Sequence, residues 1–560
     1  MSLSGTIPPD MGNLSFLTRL NIGYNNFHDL LPVQLTNLYR LKFISMSDNN
    51  FHGEISSWVG YFPELQYLSL SNNSFTGPIP SDMCDRLPTL KELYLSDNKL
   101  SGKIPIGLFK CKGLQNISLA FNSLEGILPE EIGNLTTLRT LDLRGNQIQG
   151  VIPQQISNLT GLKVLYLSHN FLTGHIPVTL GNLRDLELLD LSDNDLSGTL
   201  SSSERSFLSS LANCSGLTTL AFGSNPLISG AISDRVCKRN NDLRYLAVND
   251  NQLEGTLPLS LTNCSEIVFL NVADNNLSDT FPHWLGILPQ LRVLILRSNR
   301  FHGSIQSYIA TSSFSKLQII DLSHNDFTGL LPTNFFQNLM AMKEAEYVDN
   351  GNWYSLVVNL TIKGLELEFT LKVRMPLLTC IDLSMNGFHG EIPKVVGELR
   401  LLQALNLSHN SLTGPIPPSF GTLAALESID LSFNRLSGRI PSQLTNLTFL
   451  QVLRFWNNNL VGPIPHGKQF DTFENDSYRG NLGLCGFPLS KEYEEDNGNG
   501  NGNGNGIAFI WKVAMMGYGS GMVLGISIGY IVFTTGRPRW LVRKIERDLQ
   551  NKVSSWFGKK

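Results

Sequence analysis

The side chains best suited to chemistry are spread too regularly along this sequence to converge on an active site. Its ten histidines recur at scattered pattern positions such as His169, His324 and His409, and none stands at the spacing of a metal-ligand set. Aspartates return at one place in the pattern, at Asp142, Asp190, Asp321, Asp382 and Asp430. Stacked on successive strands, these would form a solvated polar ladder rather than an acid–base pair. No enzyme, cofactor or metal is therefore expected. The residues point instead to recognition, because outward aromatic rings interspersed with arginines are the usual anchors of a binding surface. The candidates are Tyr67, Tyr94, Phe121, Arg139, Arg144, Tyr166 and His169 in one group, and Arg244, Tyr245, Phe269, Arg292, Ile295 and Arg297 in a second. Tyr24, Phe43 and Arg454 are further outward residues of the same kind, whereas the late coils mostly carry plain Ser, Asn and Asp faces.

The element that would position these side chains is a repeat, L-x-x-L-x-L-x-x-N, seen in Leu186 through Asn194. Its Asn returns at Asn25, Asn49 and Asn73 and so on to Asn458, most often after 24 residues. A fixed period of this length marks a leucine-rich-repeat solenoid. The x-L-x-L-x segment is a short strand with its leucines inward and the intervening residues outward. One coil cannot bury its own leucines, so stacked coils share a core. The Asn amide can satisfy backbone groups of the turn. In the L-x-G-x-I-P that follows, Gly allows a bend, Ile adds core and Pro stiffens the crossing to the outer face. The expected fold is an α/β leucine-rich-repeat solenoid with a concave parallel sheet, an irregular or 3-10 convex side and one transmembrane helix.

Seven cysteines are present. Cys84 and Cys111 lie one coil apart, as do Cys237 and Cys264, which predicts a staple between neighbouring coils at each pair. Buried thiols filling the core are the alternative, and Cys214 competes for Cys237. Asn-x-Ser/Thr occurs at Asn13, Asn72, Asn116, Asn134, Asn158, Asn213, Asn263, Asn276, Asn359, Asn406, Asn446 and Asn475, a density suited to a secreted, glycosylated surface.

Along the chain, residues 1–333 read as solenoid. The start at Leu3-Ser4-Gly5-Thr6-Ile7-Pro8 is the second half of a repeat without its strand, preceded by neither cap nor signal peptide, and reads as a truncation. The coil between Asn194 and Asn225 is stretched, as by a longer convex loop. Residues 334–376 form a non-repeat insert with hairpin-like strands turning at Lys363-Gly364. Repeats resume over 377–466, a cap follows over 467–490, and an acidic and Asn-Gly spacer runs over 491–506. Residues 507–533 make the membrane segment, in which Val513–Phe533 is free of charge over 21 residues and long enough to span a bilayer. Gly517, Gly521, Gly525 and Gly529 fall on one stripe of that helix, where a second helix could approach closely. The tail, 534–560, carries eight Lys/Arg against two acids, which puts it in the cytoplasm and the solenoid outside a single-pass plasma membrane protein. It has no Gly-rich loop, His-Arg-Asp or Asp-Phe-Gly element of a kinase.

From Asn325 onward the chain resembles the plant leucine-rich-repeat receptor-like proteins of the Cf type, which lack a kinase. The marks are Ile381-Asp382-Leu383-Ser384-Met385-Asn386-Gly387-Phe388, Leu405-Asn406-Leu407-Ser408-His409-Asn410, the G-K-Q-F-D-T-F beginning at Gly467, G-L-C-G at Gly483 and Gly536-Arg537-Pro538-Arg539-Trp540. The resemblance implies a defence or developmental receptor for an extracellular peptide, protein or other pathogen- or self-derived ligand. It also implies association with an adaptor receptor kinase through the glycine stripe and the acidic residues Glu492, Glu494, Glu495 and Asp496. A co-receptor kinase would meet the insert at Lys363 and Gly364 and the last coils. The chain departs from the family in lacking the N-terminal cap and a second cap cysteine after Cys485. Alternative readings are an inhibitor of a microbial wall-degrading enzyme, whose relatives lack the anchor, and a non-functional receptor fragment.

Overall fold

The computed structural model describes residues 3–57, 59, 62–200, 206–237, 242–305, 314–344 and 378–489, with the backbone alone for strands Ser355–Ile362 and Leu365–Lys372. The spacer, the glycine-striped apolar stretch, the basic tail, and Lys363 and Gly364 lie outside the described residues. Among the described residues, no helix is long and apolar enough to cross a membrane.

One coil shows how the pattern folds. Strand Val164–Tyr166 pairs in parallel with Thr140–Asp142 before it and Leu188–Asp190 after it. Leu165 and Leu167 point into the core and are buried. After the turn at His169-Asn170 the chain forms a second strand, Phe171–His175, then passes Pro177 into the 3-10 helix Val178–Asn182 on the opposite side. Repetition gives a principal parallel sheet of seventeen short strands among the described residues, open between Arg19–Asn21 at one edge and Val452–Arg454 at the other.

The second strand is a finding that the expected bend at L-x-G-x-I-P did not anticipate. These segments build a lateral parallel sheet of twelve strands, ending at Asn276–Leu277, and another of seven, beginning at His302–Ser304. The glycine in most of them allows neighbouring coils to close up. Gly150 has φ +79°, and a Cβ there would sit 3.0 Å from Ile127 Cγ2 of the preceding coil. Asp279 stands at the equivalent position where the lateral sheet breaks, leaving the single bridge Thr280–His302. Asp29 holds the equivalent position at φ 71° within the paired sheet, since aspartate enters the left-handed region more readily than most residues.

The ladder asparagines hold the turns. Asn194 Nδ2 donates to Leu191 O and Ser192 O of its own turn and to Leu167 O of the coil before, at 3.0–3.1 Å, while its Oδ1 accepts from Leu172 N at 3.0 Å. The residue just before it, Asp193, has φ +53°, and this left-handed conformation recurs from Tyr24 to Asn457. The cap continues the ladder: Asn481 Nδ2 donates to Phe455 O at 2.9 Å, and Leu460 N donates to Asn481 Oδ1 at 3.1 Å.

The two irregular regions are less disruptive than their lengths suggest. In the stretched coil, Ser206 caps a helix over Phe207–Leu211, accepting from Ser209 N, and Phe207, Leu208 and Leu211 enter the core. An α-helix therefore stands where a longer loop is expected. Around the insert, the helix Thr333–Asn338 and the 3-10 turn Met340–Met342 bury Phe335, Phe336 and Met342 in the solenoid core, past the expected boundary at 334. The two strands within the insert pair antiparallel, with Ile362 opposite Leu365. The solenoid itself is continuous across the insert. Ile319–Asp321 pairs with Cys380–Asp382, Asn386 Nδ2 donates to Leu322 O at 3.0 Å, and the rings of Phe327 and Phe388 stack 6.2 Å apart.

Disulfides join Cys84 to Cys111 and Cys237 to Cys264, with Cα atoms 5.3 and 5.4 Å apart. Cys214, Cys380 and Cys485 are free and buried. Burial pushes the Cys214 thiol up to about 11, so it is a core filler rather than a nucleophile.

Thiol titration of the denatured, unreduced chain should find three reactive groups of the seven; seven would mean that neither staple forms. Asn194→Ala strands a buried N–H and a buried C=O, which should cost about 2–4 kcal/mol of local stability. The readout is faster hydrogen exchange at residues 167–172, and unchanged exchange would show that the ladder does not hold the turn.

Candidate ligand-binding surface

Each coil presents its outward side chains at the same few positions, so neighbouring coils bring them into rows about 4.8 Å apart. On the early coils one row is aromatic and cationic. The Arg19 guanidinium lies 3.8 Å from the Phe43 ring centroid, and Phe43 stacks on Tyr67 at 4.3 Å. Tyr67 meets Tyr94, tilted, at 5.5 Å. The Tyr94 hydroxyl donates to Glu92 Oε2 at 2.8 Å, and burial together with that bond keeps the phenol firmly protonated.

A second group forms where the strands end. Arg144 lies 4.1 Å from the centroid of Tyr166 and 5.7 Å from that of Phe121, and its Nη2 is 3.1 Å from Asp142 Oδ2. Burial raises the Asp142 carboxyl above its ordinary value, opposed by Arg144. Gly145 lets the Phe121 ring lie across the turn, since a Cβ at that φ of +68° would come within 2.5 Å of Phe121 Cδ1. Phe121 and His169 both occupy the left-handed position before the ladder Asn, at φ 52° and 54°, which projects them at the edge of the sheet. His169 Nδ1 approaches Asp193 Oδ2 at 3.3 Å. Arg139 stands exposed on the neighbouring row. In the first group of candidates Phe121, Arg139 and His169 are thus exposed, and Tyr67, Tyr94, Arg144 and Tyr166 half-buried.

The second group divides. Tyr245, Phe269 and Ile295 are 4, 0 and 1 % exposed and belong to an apolar cluster with Val293, Ile319 and Cys380, separate from the main core. The expectation that they face solvent is corrected. Successive strands put apolar residues in direct register, Tyr245 beside Phe269 beside Val293 beside Ile319, whereas Ile295 stands between Asn271 and Asp321. Leu378, just after the insert, packs against the same cluster. Arg244 remains half exposed, 3.9 Å from Glu266, and Arg292 and Arg297 are half-buried.

Sequence reasoning missed one row. The late coils were expected to be plain, but His409 stacks on Phe433 at 4.2 Å and Phe433 meets Trp456 edge-on at 5.7 Å. His409 and Phe433 hold the left-handed position, so inspecting the residue before each ladder Asn would have found them.

The sequons also sort by position. Asn13, Asn134, Asn158, Asn263 and Asn446 end 3-10 helices and are exposed, as are Asn72, Asn213 and Asn475. Asn116 and Asn276 are half-buried. Asn406 lies on the principal sheet with its Nδ2 donating to Asp382 Oδ2 at 2.9 Å, which leaves that amide poorly placed for a glycan. The Asn359 side chain lies outside the described residues. Among the described residues, no group of His, Cys, Asp and Glu is arranged to hold a metal.

Comparison with known proteins agrees with this architecture. The leucine-rich-repeat family matches residues 136–196 and 376–436, and single repeats match 64–85, 89–111, 113–135 and 316–338. Receptor-like protein 43 of Arabidopsis thaliana is 49 % identical over 323 residues, covering 55 % of this chain and 44 % of that protein. Receptor-like protein 22 of the same plant is 52 % identical over 299 residues, 51 % of this chain and 38 % of its own length. The chain therefore spans less than half the length of these relatives. Among solved structures, the plant peptide hormone receptor RGFR1 in complex with RGF2 is 28 % identical with a TM-score of 0.66, covering 86 % of this chain and 77 % of its own. The Arabidopsis receptor kinase HAESA, solved with the peptide hormone IDA and the co-receptor SERK1, is 28 % identical with a TM-score of 0.55, covering 86 % of this chain and 85 % of its own. On repeat pattern, fold and relatives together, the chain is a leucine-rich-repeat protein similar to the plant receptor-like proteins.

Proposed function

We propose that the chain is a ligand-binding receptor of the plant cell surface that signals in defence or development without a kinase of its own. The observation that carries this reading is the accessible aromatic–cation surface of the early coils, Phe43–Tyr67–Tyr94 and Phe121–Arg144–Tyr166. Rings already held by stacking lose little side-chain freedom on contact with a ligand, so their burial contributes to affinity at small entropic cost. The ligand is an extracellular peptide or protein lying across the strands, where a rigid row of side chains meets it rung by rung. Solved relatives with peptide hormones and a co-receptor in their complexes support this kind of ligand.

Signalling then requires partners. An adaptor receptor kinase packs against the stripe of Gly517, Gly521, Gly525 and Gly529, where close helix approach stabilises a pair inside a bilayer. A co-receptor kinase meets the insert near Lys363 and Gly364 and the last coils, whose His409–Phe433–Trp456 row offers a second aromatic surface.

The test is co-purification from plant membranes. The full chain should bring down a receptor kinase, and replacement of all four stripe glycines by Leu should abolish that association while the chain still reaches the membrane. Unchanged recovery of the kinase would remove the proposed mechanism. Tyr166→Ala and Arg144→Ala should each weaken capture of the extracellular ligand about tenfold or more, with kinase co-purification intact.

A further inference from the structure

The seam at which the insert leaves and rejoins the solenoid carries an arrangement that ligand binding does not use. Asp321 and Asp382 occupy the same position on adjacent strands, in direct register, at the roughly 4.8 Å spacing of paired strands. They are 1 and 2 % exposed. Two other acids of this row have a cation at hand, Asp142 with Arg144 at 3.1 Å and Asp430 with Arg454 at 3.5 Å. Here two carboxyls are buried side by side.

Their hydrogen bonds are asymmetric. Asp382 Oδ1 accepts from Ser384 N and Oγ at 2.9 and 2.6 Å, and its Oδ2 accepts from Asn406 Nδ2 at 2.9 Å. Asp321 Oδ1 accepts from Ser323 N and Oγ at 2.9 and 2.5 Å. Asp321 Oδ2 alone of the four oxygens is buried without a partner. An unpaired buried carboxylate oxygen is costly, whereas a protonated one is not charged. Among the described residues, the titratable and charged groups facing the pair are Arg297, from the coil before, and the Cys380 thiol, on the same strand as Asp382. The coil after contributes the neutral Asn406. Arg297 favours ionisation of both acids, so one negative charge is tolerated and a second is not.

We propose that Asp321 and Asp382 form a proton-binding site, with one proton held on Asp321 Oδ2, through which the solenoid senses pH at the seam of its insert. Burial first, and the neighbouring Asp382 second, push the Asp321 carboxyl up to about 7. The sign follows from that direction. The closed rung holds a proton that the opened rung releases, so the seam is firmest in acid. It loosens as pH rises from the ordinary carboxylate range toward about 7, and above that the loss is complete. This inference does not depend on which ligand or kinase the chain meets.

The test uses the full chain in detergent micelles. Hydrogen-exchange protection, corrected for the intrinsic pH dependence of exchange, should fall about tenfold per pH unit between about pH 5 and pH 7 in segments 317–323 and 379–384, then level off. Asp321→Asn and Asp382→Asn should abolish that slope, whereas Asp430→Asn should leave it. A wild-type seam whose protection does not vary with pH, or the same slope in Asp321→Asn, would overturn the proposal. Infrared spectra of aspartate-labelled chain give a readout that does not rely on the variants folding. A protonated carboxyl band should be present near pH 5.5 and lost by about pH 8, and its absence throughout would equally refute the bound proton.

Discussion

Everything in this molecule rests on one side chain's capacity to bond in several directions at once. A coil of about 24 residues contains a turn whose carbonyls and amides are buried between neighbours, and nothing in the strands can satisfy them. The ladder Asn does so from within, donating to its own turn and to the coil before, and accepting from a backbone N–H of that preceding coil. Because each amide binds two coils, spacing is transmitted along the stack, and the outward side chains fall into rows. The aromatic and cationic rows are a consequence of that regularity. Tyr67 can stack on Phe43, and Arg144 can lie beside Tyr166, only because the coils that carry them keep their register.

The same constraint explains how the chain absorbs its irregular parts. The insert adds residues between two rungs without changing their relation, since the Asn386 amide reaches Leu322 O as its counterparts do elsewhere. The stretched coil adds a capped helix outside the sheet. The lateral sheet breaks at Asp279, which stands where most coils carry glycine. Departures thus appear on the lateral and outer sides, while the principal sheet runs on.

Much of this was legible in the residues. The Leu and Asn positions carry the fold because burial and backbone satisfaction both depend on residue type at a fixed period, and the spacing of Cys84 and Cys111 brings them to adjacent coils. What was not legible depends on neighbours rather than on period. Tyr245, Phe269 and Ile295 stand at outward positions, yet all three are buried in an apolar cluster that the period does not reveal. The lateral strand was hidden because L-x-G-x-I-P is too short and too glycine-rich to show alternation. The insert's beginning was misplaced because Phe335, Phe336 and Met342 enter the core without the leucine spacing. The ring pair of His409 and Phe433 was overlooked because the left-handed turn position had no assigned role.

The central claim is that the solenoid stands outside the cell as a recognition surface tethered to a membrane. The most direct measurement is labelling of intact plant cells with a membrane-impermeant amine reagent, followed by mapping of modified lysines. The account predicts label on the exposed Lys91 and Lys163 of the solenoid without permeabilisation, and on Lys559 and Lys560 only after it. Label on the tail of intact cells, with the solenoid lysines protected until the membrane is opened, would contradict it.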